Sequence, residues 1–181
     1  MDIVDILNHV LKISCRPRSS VNPGALAPDS KVPYLIGIFF ADLASPHPVV
    51  RQVAQTSISL LSGLCGISIP QLLAPQRDRI LTNIYVKPLR ALPFLIQIGQ
   101  IEAVRYCLSL DPPLPEMNEQ LLRLLHEALA LAEAEDSTLT RSRTRKTTME
   151  ITQLRVSCIK LLTASMPLAD YFSKQHPTRQ K

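Results

Sequence analysis

Residues 72–110, LLAPQRDRILTNIYVKPLRALPFLIQIGQIEAVRYCLSL, read as a helix, a corner framed by two prolines, and a second helix. Pro88 and Pro93 lack backbone donors and fix φ, so residues 87–93 cannot be helical throughout. Leu89, Leu92 and Phe94 make the corner apolar, and an apolar connector has to pack against other elements. Two helices joined in this way form a helical hairpin, the stacking unit of an α-solenoid.

The composition around this stretch agrees with helices rather than strands. Leu, Ala and Ile dominate the apolar residues, aromatics are 4%, Trp is absent and there are only 5 glycines. Fifteen prolines in such a chain predict many short helices, stopped and restarted often. The net charge is +5, and four of those charges come from Arg141, Arg143, Arg145 and Lys146, so the rest is nearly balanced. A global basic field for nucleic acid or an anionic membrane is not supported. Cys15, Cys65, Cys107 and Cys158 lie far apart with no Cys-x-x-Cys pair, and they read as reduced thiols of the cytosol or nucleus. The acidic opening Met1-Asp2 is not a secretory signal. Residues 52–76 carry no charge, but their glutamines, serines and amphipathic period argue against a membrane span.

In chain order, residues 2–14 predict a first helix, with Ile3, Ile6, Leu7, Val10 and Leu11 on one face. Residues 16–30 form a proline-rich loop. Residues 31–44 predict an apolar helix, followed by a turn in which Ser45 caps and Pro46 opens the next helix. That helix should turn Val50, Val53, Ala54, Ile58 and Leu61 inward and Arg51, Gln52 and Ser62 outward. Its pattern resembles the second helix of a HEAT or armadillo repeat. Ser68 and Gln71 form a capping box, Pro75 forces a kink or restart, and Gly99 marks either a close neighbour or a mild kink. Residues 116–134 carry an apolar face wide enough for two neighbours, with Glu119–Arg123 and Arg123–Glu127 pairs on the polar side. A polar and basic loop spans 135–148. A helix over 149–166 repeats the register of residues 50–61 at an offset of 104. Residues 167–181 then start an element they do not complete. The whole chain, 1–181, reads as one all-α solenoid segment cut from a longer stack. Its open ends predict marginal stability or self-association.

The run Arg77-Asp78-Arg79-Ile80-Leu81, the block Lys87-Pro88-Leu89-Arg90-Ala91-Leu92-Pro93-Phe94, and Gln97-Ile98-Gly99 leading to Tyr106-Cys107-Leu108 together resemble the TRRAP family. These are the transformation/transcription domain-associated proteins. Ala128–Asp136 and Leu154-Arg155-Val156 extend the likeness, which runs from about Asp42 to Met166. The resemblance implies a stretch of HEAT solenoid outside the kinase-like domain, which in this family has lost its catalytic residues. It further implies a scaffold in a SAGA-type histone acetyltransferase complex in the nucleus. The implied partners are subunits of that complex, transcriptional activators and neighbouring repeats of the parent chain. Lys87, Pro88, Leu89, Arg90, Leu92, Pro93, Phe94 and Gly99 then serve as structural positions of the family motif.

The residues offer no catalytic constellation, cofactor loop or metal set. No Gly-rich phosphate cradle is present, and Gly63 and Gly66 read as a helix C-terminus. Glu133, Glu135 and Asp136 read as solvated acids at a helix end. The basic residues Arg141, Arg143, Arg145 and Lys146 are candidates for partner contact, with a solvated rim loop as the plainer reading. Without interleaved aromatics they are poorly suited to stacking bases, which disfavours direct nucleic-acid binding. Two alternatives compete with the coactivator scaffold. One is a karyopherin-like transport adaptor, whose inner helices would need to be acidic. The other is a nucleic-acid contact through residues 141–146.

Overall fold

The computed structural model describes residues 32–85, 87–141 and 144–175, with side chains through Leu168. The expected helix at 2–14 and loop at 16–30 lie outside the described residues. The helices are α1 (Val32–Leu43), α2 (Pro48–Cys65), α3 (Ile69–Leu73), α4 (Arg77–Tyr85), α5 (Phe94–Leu108), α6 (Glu119–Glu133), α7 (Asp136–Leu139) and α8 (Arg145–Gln175). Short 3₁₀ turns at Ala74–Gln76 and Leu89–Ala91 sit where Pro75 and Pro88 interrupt the chain. The fold is an all-α solenoid fragment with no strand among the described residues.

Three hairpins stack side by side: α1 with α2, α4 with α5, and α6 with α8. Helix α5 lies in the middle, packed on α1 on one side and α8 on the other, and touching α4 as well. Its sequence is correspondingly apolar around its circumference, with Ile98, Ile101, Ala103, Val104, Cys107 and Leu108 all buried. At Gly99 the corner after α1 comes so close that an added Cβ would lie 2.2 Å from the Ala44 carbonyl oxygen and 2.8 Å from that of Ser45. Only a residue without a side chain lets these two backbones meet.

Helix ends follow local chemistry. Ser68 accepts from the Gln71 N–H while the Gln71 side chain accepts from the Ser68 N–H, closing the capping box. Asn118 caps α6 through the Leu121 N–H, and Gly66 ends α2 at φ 66°, a left-handed position suited to glycine.

Four expectations need correction. Helix α2 starts at Pro48 with His47 as N-cap residue, not at Pro46 after Ser45; the Ser45 hydroxyl instead accepts from the His47 N–H at 3.2 Å. Its buried face is Arg51, Ala54, Ser57, Ile58, Leu61 and Ser62, with Val50 and Val53 outside. The Arg51 guanidinium can be buried because it donates to the Ser45 carbonyl at 2.7 Å, and Ser62 because its hydroxyl donates to the Ile67 carbonyl. Within 135–148, residues 136–139 make one helical turn and Arg145 already begins α8. Thr144 caps that start by accepting from the Thr147 N–H at 3.2 Å. Finally, Pro167 does not stop α8, which runs through it to Gln175. Pro167 removes one donor on an exposed turn, where water can serve the freed carbonyl.

Candidate functional site

The corner between α4 and α5 is held by side chains from other helices. Leu89 is buried and both of its backbone groups are bound by side chains. Its N–H donates to Glu127 Oε2 of α6, and its carbonyl accepts from Gln97 Nε2 of α5 at 2.8 Å. Arg123, one turn before Glu127, donates to the Tyr85 carbonyl at the end of α4 at 2.9 Å. Arg123 pairs with Glu127 at 3.8 Å, while the expected Glu119–Arg123 pair is not formed. Pro93 accepts from the N–H groups of Ile96 and Gln97, both at 2.9 Å, and so opens α5. Lys87, Pro88, Arg90 and Pro93 are exposed, while Leu92 and Phe94 are half-buried.

Four arginines share one role, each tying a helix to a backbone carbonyl at a corner. Arg51 holds Ser45, Arg77 holds Leu114 at 2.8 Å, Arg123 holds Tyr85 and Arg155 holds Ala134. Arg77 also pairs with Glu116 and Arg155 with Asp136, both at 2.8 Å. Arg51 and Arg155 occupy the positions aligned by the offset of 104; Arg51 reaches back to the turn before α2, and Arg155 reaches past α7 to the end of α6. The burial pattern of α2 repeats in α8 at an offset of 100, a slip of about one turn that keeps the same face inward.

A charged group joins α2, α5 and α8. Glu102 pairs with Arg105 at 2.7 Å and accepts from the Ser157 hydroxyl at 2.9 Å. Burial pushes the Arg51 guanidinium below its usual pKa, Glu102 opposes that shift, and Arg105 adds to it.

Two shallow clefts meet at Arg90. One, about 670 Å³, lies between the corner and the end of α6, with Leu92, Phe94, Leu131, Leu139 and Glu150 around it. Gln97 also lines it, and its Oε1 is buried without a hydrogen-bond partner. The other, about 490 Å³, runs along α6 past Leu122 and His126. A third groove of about 440 Å³, lined by Tyr34, Ile38, Phe40 and Arg79 among others, separates α1 from α4.

None of these clefts gathers the groups of a reaction centre. Burial pushes the Cys107 thiol up to about 12 and the Cys158 thiol up to about 11, so both stay protonated and poor as nucleophiles. Among the described residues no three His, Cys, Asp or Glu side chains converge as a metal set, and no single helix is long and apolar enough to cross a membrane.

The candidate contact residues that the structure describes lie in the turn before α8 and in its first turn. Arg141 is exposed in the turn before α8, Arg143 lies outside the described residues, and Arg145 and Lys146 occupy the exposed first turn of α8. Lys146 lies 3.9 Å from Glu150. What sequence reasoning missed is the set of corner-binding arginines; only the Arg51–Arg155 match hinted at it.

Comparison with known proteins gives a consistent result. The family model described as the Tra1 HEAT repeat ring region matches residues 1–181. The chain is 39% identical over 163 residues to the SAGA complex/NuA4 acetyltransferase complex subunit Tra1 of Schizosaccharomyces pombe, covering 86% of this chain and 4% of that protein. It is 38% identical over 138 residues to the subunit of the same description from Saccharomyces cerevisiae, covering 74% and 4%. The human transformation/transcription domain-associated protein is 30% identical over 128 residues, covering 68% and 3%. The chain therefore spans about 4% of the length of the Tra1 relatives it matches.

Proposed function

The chain belongs to the Tra1 HEAT repeat ring family, and from that premise we propose that it is a non-catalytic scaffold segment of a SAGA- or NuA4-type histone acetyltransferase coactivator complex in the nucleus. The observation that carries this reading is the likeness to two acetyltransferase-complex subunits over most of the chain. The geometry supports it in kind: stacked hairpins offer a broad surface and hold their polar groups in corner ties rather than in a cleft. Its partners on this reading are other subunits of the complex, neighbouring repeats of a longer chain, and transcriptional activators. Arg141, Arg145 and Lys146, exposed on one rim, are the proposed contact for an acidic partner segment.

The test is purification of the tagged protein at native expression from nuclear extract of its own cells, with assay for histone acetyltransferase activity and for the complex's subunits. Acetyltransferase subunits are expected to co-purify. Their absence with tags at either terminus overturns the assignment. Reversing Arg141, Arg145 and Lys146 to Glu should reduce activator capture while leaving subunit recovery unchanged, and equal capture rejects the rim contact.

A further inference from the structure

We draw no further inference here: the strongest candidate, the cleft between the α4–α5 corner and the end of α6 where Gln97 Oε1 is buried without a hydrogen-bond partner, carries nothing, because that oxygen is closed off from solvent and the opposite charges of Arg90 and Glu150 on the cleft walls favour no one occupant, so nothing in the structure shows what covers it.

Discussion

Gly99 shows how much one missing methyl group decides. In an exposed helix, replacing glycine with alanine gains about 1 kcal/mol from backbone entropy. Here the new Cβ would lie 2.2 Å from a carbonyl oxygen of the corner after α1, and a backbone atom cannot swing aside as a side chain would. Gly99→Ala should therefore destabilise the chain by about 1–3 kcal/mol despite its better helix propensity. Urea unfolding measures this, and an unchanged or raised midpoint would refute the close approach. A glycine in a helical run signals something unusual in the sequence, but does not choose between a neighbour and a kink. Arg51 was less legible still. Hydropathy places a guanidinium outside and the adjacent valines inside. The fold reverses this because the Ser45 carbonyl accepts a hydrogen bond from the arginine within the packed face.

At the scale of elements, the corner between α4 and α5 is fixed by side chains of a later hairpin. Glu127 is its most consequential member, since it receives the buried N–H of Leu89 and neighbours Arg123. Glu127→Ala should leave that N–H without a partner and cost about 1–3 kcal/mol. Faster amide exchange of Leu89, against unchanged exchange in α2, would distinguish local release from general loss of stability. The apolar, proline-framed corner was readable from residues 87–94 because its constraints are local. Its clamp was not, because Glu127 lies 38 residues away and looks like an ordinary member of a surface pair. The extent of α8 escaped for a related reason. Pro167 reads as a stop in isolation, yet a helix anchored by contact with α5 and α6 tolerates the loss of one bond.

Across the molecule, burial of neutral acids sets how it should respond to base. Cys107 is pushed from 9.0 to about 12, and Tyr85 and Tyr106 from 10.0 to about 12, in each case chiefly by burial. The folded chain holds these protons longer than the unfolded one. Their contribution is therefore complete below about pH 9 and is lost as pH rises towards 12. Between its two pKa values the deeply buried Cys107 loses up to about 1.4 kcal/mol of this stabilisation per pH unit, and the two tyrosines, closer to solvent, lose less. The urea midpoint should be level from neutral pH to about pH 8.5 and fall steadily above it. A level midpoint up to pH 11 would contradict the burial of these groups. The stacked order of the hairpins was legible from helix period and proline spacing, whereas which helix became the centre was not. Only packing identifies α5, since a helix apolar all round looks much like any other leucine-rich stretch.

The contact of Gly99 with residues 44 and 45 also works as a joint. It sets the tilt of the first hairpin on the second, and Arg51 grips the same corner from the other side. A row of such units that bends round towards its own beginning gathers every angular error along its length. A pivot made of backbone against backbone has almost no play, so a long curved assembly could keep its circumference true by repeating it.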